Sequence, residues 1–185
     1  IKHLSLGSLP ELKDRVITIN GLSKAYAMTG WRIGYACAPE PVAKAMNTLQ
    51  SQLNTCITSF CYDVIPVALG MQEEVEEMRQ IFAKRATLMF ELIQKWQNVE
   101  CAQPTGAFYA FPKISYYYGK TSPAGTEVTD AVNFTKALLD ETGVAVVPGT
   151  DFGGCGPDHI RLSFACSEDQ ITKGVNKVGE WLAKF

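Results

Sequence analysis

The chain has 185 residues and a mass of 20.3 kDa, with 17 lysines and arginines against 19 aspartates and glutamates, so its formal net charge is −2. This balance argues against nucleic acid as a partner, because proteins that bind it carry excess cations that displace counterions from phosphates. Hydrophobic residues make up 46% and charged residues 19%, and every apolar run is shorter than the ~20 residues that span a bilayer. We therefore expect a soluble, globular protein that does not enter a membrane.

The cysteines, histidines and first residues narrow the class further. Six cysteines are scattered without paired C-x-x-C spacing, which favours reduced thiols in the cytoplasm over a zinc site or a disulfide framework. The only histidines, His3 and His159, have no metal-ligand spacing, so we predict no metal site. The chain begins with Ile1 and carries no signal-peptide pattern, so we expect a piece of a longer cytoplasmic protein.

Two short apolar runs near the N-terminus predict strands of a buried sheet, at 16–19 and 32–37. The loop between them, Gly21 to Trp31, is longer than a simple connection requires. It contains Lys24, and it is the first candidate for a functional segment.

Apolar residues at helical spacing follow the two strands. They predict helices from Pro41 to Leu53, from Tyr62 to Gly70, and over a longer stretch whose apolar stripe runs from Val75 to Trp96. A long helix often connects two domains, and the composition beyond it changes to short strands with turn residues. We therefore predict two domains, 1–72 and 73–185.

The second predicted domain combines short strands with two helices. One helix should run from a Thr129 cap to Gly143, and the other should begin at Ser167 with an S-x-x-Q capping box. The glycine-rich segment 153–156 lacks the following lysine of a phosphate loop, so it predicts a plain turn. The strands are expected at 99–101, 107–111, 144–147 and 160–165.

Lys24 and Arg32 lie towards opposite ends of the loop between the first two predicted strands. A lysine nucleophile must be partly deprotonated near neutral pH, which apolar neighbours such as Trp31 and the nearby cation Arg32 favour. An amine and a guanidinium in this arrangement suit a cofactor that takes a covalent amine and an anion clamp. A lysine after a strand is more often a solvated surface residue, so the spacing alone leaves both interpretations open.

A longer motif surrounds this lysine. The run Gly-Leu-Ser-Lys-Ala-Tyr-Ala-Met-Thr-Gly-Trp-Arg-Ile-Gly at 21–34 resembles, without a gap, the pyridoxal-phosphate attachment motif of class I aminotransferases, the aspartate aminotransferase group. The resemblance covers nearly the whole chain, since it continues through 104–109, 147–149, 152–153 and 159–164. It implies an α/β fold that is the C-terminal part of a fold type I pyridoxal-phosphate-dependent transferase. Residues 1–72 would be the remnant of the large mixed-sheet cofactor domain, and residues 73–185 the small α/β domain.

The resemblance also assigns cofactor contacts. Lys24 would hold pyridoxal 5'-phosphate as an internal aldimine and would later act as the general base that moves the substrate's proton. Arg32 would clamp the cofactor phosphate with its planar, two-pronged donor, and Ser23 would add a hydroxyl to that phosphate site. The family often has a serine where this chain has Gly21, so one phosphate contact would be missing.

Two residues of the second predicted domain match substrate positions of the family. Arg161 would form a bidentate pair with the substrate's α-carboxylate, and Phe108 would line the substrate side of the pocket. Judged without the resemblance, Arg161 is an ordinary surface arginine at a strand start and Phe108 an ordinary core residue of an alternating strand.

The function implied by the resemblance is that of an aminotransferase, a homodimer when intact, which moves an amino group between an amino acid, aspartate or similar, and a 2-oxo acid. In the family, an aspartate and a tyrosine that contact the cofactor precede the lysine by about thirty residues, whereas only twenty-three residues precede Lys24. We therefore expect the 185-residue chain to be inactive by itself. The alternatives are a pyridoxal-phosphate-dependent lyase or synthase, a transcription regulator with an aminotransferase-like sensing domain, and a bare interaction module.

Overall fold

The computed structural model describes residues 3–185, which divide into two compact units between Glu77 and Met78. The division falls inside a helix that belongs to both units. The functional domains predicted at 1–72 and 73–185 stay a prediction. No helix of the described residues is both long and apolar enough to cross a membrane.

The first unit contains an antiparallel strand pair followed by helices. Strand β1 (Thr18–Gly21) pairs with β2 (Gly34–Cys37), and helices α1 (Glu40–Leu53) and α2 (Cys61–Gly70) follow. The apolar run at 16–19 predicts burial, yet Ile19 is 78% exposed, because within residues 3–185 β1 pairs with β2 alone. The buried cluster of this unit is small and consists of Leu22, Ile33, Cys61 and Ala68.

Helix α3 spans Gln72–Ile93 and begins with acidic residues, Glu73 and Glu74, where the helix dipole favours negative charge. It ends three residues before the predicted end of the apolar stripe at Trp96. The amide of Trp96 donates to the carbonyl of Ile93 at 2.9 Å, an i→i−3 bond that tightens the last turn out of α-helical geometry.

The second unit is built around a three-stranded antiparallel sheet whose central strand, β7 (Ile160–Ser163), lies between β3 (Tyr109–Ala110) and β6 (Val147–Pro148). A separate hairpin pairs β4 (Lys120–Thr121) with β5 (Glu127–Val128). The strand predicted at 99–101 is wrong, because this segment forms only one isolated bridge, from Glu100 to Lys113.

Two helices pack on the core of the second unit. Helix α4 spans Ala131–Thr142 and ends at Gly143 with φ 71°, as predicted. Its N-cap is Asp130 rather than the predicted Thr129, because the Asp130 carboxylate accepts from the amide of Asn133 at 2.8 Å. Helix α5 spans Glu168–Leu182 and is capped by Ser167, as predicted. Nineteen of the described residues form the buried core of this unit.

Two glycines that precede β7 in sequence, Gly149 and Gly156, allow their backbone segments to come into direct contact. A Cβ placed on Gly149 would lie 2.1 Å from the carbonyl oxygen of Gly156, and one on Gly156 would lie 2.0 Å from the carbonyl oxygen of Gly149. The glycine-rich segment at 153–156 is therefore more than the plain turn that its sequence predicts. It places two short 3₁₀ turns, at Gly149–Asp151 and Gly156–Asp158, in direct backbone contact.

The three tryptophans occupy different environments. Trp96 and Trp181 are buried in the second unit, whereas Trp31 in the first unit is 47% exposed. The indole N–H of Trp96 donates to the carbonyl of Val175 on α5 at 3.0 Å, and a Cβ on Gly179 would lie 2.9 Å from the Trp96 ring. Gly179 thus leaves the space in which this ring packs against the helix.

Candidate active site

The loop between β1 and β2 is built on two buried anchors, Leu22 and Ile33, which are 0% and 2% exposed. The amide of Leu22 donates to the carbonyl of Ile33, and the amide of Met28 donates to the carbonyl of Leu22, both at 3.2 Å. The carbonyl of Lys24 accepts from the amide of Ala27 at 3.1 Å. These bonds fix the shape of a loop on which Lys24 is exposed and Ser23 is half-buried.

Two non-glycine residues of this segment have left-handed backbone conformations. Ala27 has φ 53° and Arg32 has φ 55°. This conformation costs an L-residue roughly 1–2 kcal/mol, and such residues concentrate at ligand-binding loops and active sites. The loop therefore keeps an unfavourable backbone shape that its surrounding hydrogen bonds maintain.

Arg32 is exposed and is tied to its own loop. Its Nη1 donates to the carbonyl of Thr29 at 2.9 Å, across the short turn Thr29–Trp31. Since a guanidinium has five N–H donors, this single bond leaves others for an anion. The structure thus holds three of the sequence-predicted residues, Ser23, Lys24 and Arg32, on one braced segment of the first unit.

The glycine that departs from the family's pattern has a steric basis. A Cβ on Gly21 would lie 3.0 Å from the carbonyl oxygen of Ile33, because the end of β1 approaches β2 closely there. A serine at this position would have to push the two strands apart by a few tenths of an ångström.

Arg161 lies on the central strand of the second unit, opposite Val147 of β6. It is half-buried, and its guanidinium carbon lies over two aromatic rings, 4.4 Å from the ring centroid of Tyr109 and 4.5 Å from that of Phe152. Among residues 3–185, no carboxylate or carbonyl accepts a hydrogen bond from this guanidinium. Its in-plane N–H groups are therefore available to an anionic ligand.

Phe108 precedes β3 and is half-buried against the core of the second unit. Its ring lies 6.1 Å from that of Phe82 and 4.4 Å from that of Tyr109, measured between centroids. Phe108 therefore lies next to one of the two rings that contact Arg161, and it also packs as a core residue.

Tyr109 and Phe152 were not predicted as site residues, although both lie in segments that resemble the family, 104–109 and 152–153. Strand register could have found Tyr109, since it pairs with Ser163, two residues beyond Arg161 and on the same face of β7. Phe152 comes from a loop, and no periodicity in the sequence predicts its contact with Arg161.

Comparison with known proteins gives these residues a context. The family model described as aminotransferase class I and II matches residues 4–178. The chain is 40% identical over 183 residues to an aspartate aminotransferase of Geobacillus stearothermophilus, and this alignment covers 98% of the chain and 45% of that protein. It is 41% identical over 175 residues to an aspartate/prephenate aminotransferase of Cereibacter sphaeroides, covering 94% of the chain and 43% of that protein.

Solved structures show the same relationship. The crystal structure of an aspartate aminotransferase from Rhizobium meliloti matches with a TM-score of 0.89 and 34% identity, over 100% of this chain and 46% of that one. The chain thus spans a little under half the length of the relatives that it matches, and the predicted fold class is confirmed. With a family match over most of its length, the chain belongs to the class I and II aminotransferases.

Proposed function

We propose that this chain supplies the lysine loop and the substrate-carboxylate arginine of an aminotransferase that acts on aspartate, or a similar amino acid, and a 2-oxo acid. The observation that carries the proposal is the braced segment 21–32, which presents an exposed amine at Lys24 and an exposed guanidinium at Arg32 in a chain of this family. We further propose that the complete protein works as a homodimer in the cytoplasm.

The residues of this loop fit pyridoxal phosphate, the cofactor on which this family depends. The cofactor needs a primary amine for its aldehyde and cationic or hydroxyl donors for its phosphate. Lys24 offers the amine, Arg32 the charged donor, and Ser23 a half-buried hydroxyl two residues past the end of β1. When bound, the cofactor supplies a conjugated ring that stabilises negative charge at the substrate's α-carbon.

Each candidate site residue of the chain then has a separate role. The amine of Lys24 would hold the cofactor and, when freed, would take the proton from the substrate's α-carbon and pass it to the cofactor's C4′ carbon. Arg32 holds the phosphate in place from the same loop. Arg161 binds the α-carboxylate through paired charge-assisted hydrogen bonds, and Phe108 lines the substrate side of the pocket.

The attachment site can be tested without turnover. The chain is incubated with pyridoxal phosphate, reduced with borohydride, digested and analysed by mass spectrometry. We expect the modified peptide to contain Lys24 in the wild type and in the control variant Lys13→Ala, which removes an exposed lysine of the same unit. Lys24→Ala should lose the modification. A wild-type chain that is modified at another lysine and not at Lys24 would refute the assignment.

Turnover provides the second test. We expect no transamination by the 185-residue chain alone, because the resemblance implies that further cofactor contacts come from residues outside it. The complete protein should convert aspartate and 2-oxoglutarate to the corresponding 2-oxo acid and amino acid. Lys24→Ala should abolish nearly all of this activity. Robust transamination by the purified 185-residue chain would contradict the expectation.

A further inference from the structure

The environment of Arg161 shows how its guanidinium is oriented. The two rings that it contacts come from separate segments, Tyr109 from β3 and Phe152 from the loop that follows the turn Gly149–Asp151. A cation within about 6 Å of a ring centroid is attracted to the ring face, and both distances here are 4.5 Å or less. Two independent segments therefore act on one side chain.

The position of Phe152 is fixed by backbone contacts. Its amide donates to the carbonyl of Gly149 at 2.9 Å, and the amide of Gly149 donates to the carbonyl of His159 at 2.8 Å. The same glycine is in backbone contact with Gly156. The ring of Phe152 also meets the ring of Phe111 edge to face, with centroids 5.9 Å apart and an interplanar angle of 89°.

The position of Tyr109 is fixed by the sheet. It pairs with Ser163 of β7, and its ring lies 4.4 Å from that of Phe108. Neither ring therefore depends on a ligand for its place.

A guanidinium is planar, and all its N–H groups point outwards within that plane. A ring face close to the guanidinium carbon attracts the cation, and two such contacts from separate segments restrict rotation of the group about its terminal bonds. A carboxylate that approaches edge-on then meets two parallel N–H groups already in place, so less rotational entropy is lost on binding. A lysine ammonium offers no such plane.

We propose that Tyr109 and Phe152 are positioning residues, which hold the guanidinium of Arg161 in the orientation that receives a carboxylate in bidentate fashion. The inference rests on the proposed function only for the identity of that carboxylate as the substrate's. The orienting effect itself belongs to the free protein and is measurable there.

The first experiment therefore needs no activity. In the ¹⁵N-labelled 185-residue chain, the Nε–H resonance of Arg161 is assigned by its loss in Arg161→Lys, and its heteronuclear relaxation is measured. We expect an ordered Nε–H in the wild type and in Phe152→Tyr, which keeps a ring, and a mobile one in Phe152→Leu. Tyr109→Leu against Tyr109→Phe repeats the comparison independently, so that a folding failure of one variant leaves the other pair decisive.

The second experiment measures the consequence for a ligand. In the complete protein, Phe152→Leu should raise KM for the amino acid about tenfold with little change in kcat. KM for the matching amine, which lacks the carboxylate, should stay the same. Phe152→Tyr should restore most of the loss. Phe90→Leu on α3, a half-buried phenylalanine away from Arg161 in sequence, is the matched control.

The two experiments separate the possible failures. An Arg161 Nε–H that stays equally ordered in both leucine variants overturns the positioning role, whatever the activity. An equal loss on the amino acid and the amine also overturns it. An ordered Arg161 that becomes mobile in the leucine variants supports it, even if the absence of transaminase activity in the complete protein refutes the proposed function.

Discussion

The two candidate arginines, Arg32 in the first unit and Arg161 in the second, are held by different means. Arg32 is exposed, has a left-handed backbone, and bonds to Thr29 within its own loop, behind which lies a cluster of four buried residues. Arg161 lies on the central strand of a sheet, over two rings from separate segments, which themselves contact the rings of Phe108 and Phe111.

These arginines show two different ways in which a protein can orient a cationic side chain before an anion binds. The shape around Arg32 depends on a few local backbone bonds, so substitutions there should act locally. The orientation of Arg161 depends on packing and on distant backbone contacts, so it should respond to substitutions many residues away. Substitutions in the two units test that contrast.

The largest effect is expected from the arginines themselves. Arg161→Ala should lower kcat/KM for the amino acid by about two to four powers of ten. This corresponds to a loss of roughly 3–5 kcal/mol of transition-state stabilisation, because two charge-assisted bonds are lost. Arg161→Lys should be intermediate, since it keeps the charge without the planar fork. Arg32→Ala should show the converse pattern, with weak retention of the cofactor on gel filtration. Equal losses by Arg161→Ala on an amino acid and on the matching amine would contradict the carboxylate assignment.

The next effect concerns the backbone contact behind Phe152. Gly149→Ala should destabilise the second unit by about 3 kcal/mol, because the new Cβ would overlap the carbonyl oxygen of Gly156 and the backbone must shift. Gly154→Ala is the control, since no atom lies within 4 Å of its added Cβ. Urea denaturation followed by far-UV circular dichroism measures both, and equal midpoints for the two variants would refute the prediction.

Helix α5 provides a pair of substitutions with opposite signs. Gly174→Ala should stabilise by roughly 0.5–1 kcal/mol through helix propensity, because its Cβ enters open space. Gly179→Ala should destabilise by about 1–2 kcal/mol despite the same gain, because its Cβ meets the buried ring of Trp96. Thermal unfolding should move the two midpoints in opposite directions, and a shared direction would show that the ring relocates easily.

The loop between β1 and β2 should respond more weakly. Ala27→Gly should stabilise the first unit by up to about 1 kcal/mol, because relief of the left-handed conformation exceeds the added entropy of the unfolded chain. Ala25→Gly, whose backbone is not left-handed, should instead destabilise slightly. Amide hydrogen exchange of the loop measures both, and slower exchange in the Ala25 variant than in the Ala27 variant would contradict the prediction.

The smallest effect is a dependence on alkaline pH. Burial, followed by the negative charges of Asp158 and Asp130, raises the pKa of Tyr118 to about 12. A raised pKa in the folded state means that the folded form holds this proton more tightly than the unfolded chain does. The contribution of Tyr118 to the free energy of unfolding is therefore complete below the ordinary tyrosine pKa and is lost as pH rises towards 12. Stability should fall less steeply over this window in Tyr118→Phe. The control is Tyr116→Phe at a neighbouring exposed ring, and an unchanged slope in Tyr118→Phe would refute the assignment.

Features that depend on local sequence were predictable. Helix spacing located α1, α2 and α4 to within one or two residues, and the S-x-x-Q pattern gave the cap at Ser167. The prediction of Thr129 as the cap of α4 was wrong, because the neighbouring Asp130 can accept the same bond and backbone geometry decides which residue does so.

Features that depend on contacts between distant segments were not predictable. The meeting of Gly149 with Gly156 and the approach of Phe152 to Arg161 arise from loop geometry that has no period in the sequence. The strand expected at 99–101 failed for a related reason, because an apolar run becomes a strand only where a partner extends alongside it. The site residues themselves came from the family motif and not from spacing.

The placement of the tryptophans makes the chain its own optical reporter. Indole emission shifts to longer wavelengths in water, so the long-wavelength edge of the spectrum belongs to Trp31, and the short-wavelength part to Trp96 and Trp181. Collecting the two edges during one titration therefore follows the lysine loop and the larger core separately, without any label. Because Trp31 shares the loop with Lys24, a chromophore attached to that amine should dim the long-wavelength edge first.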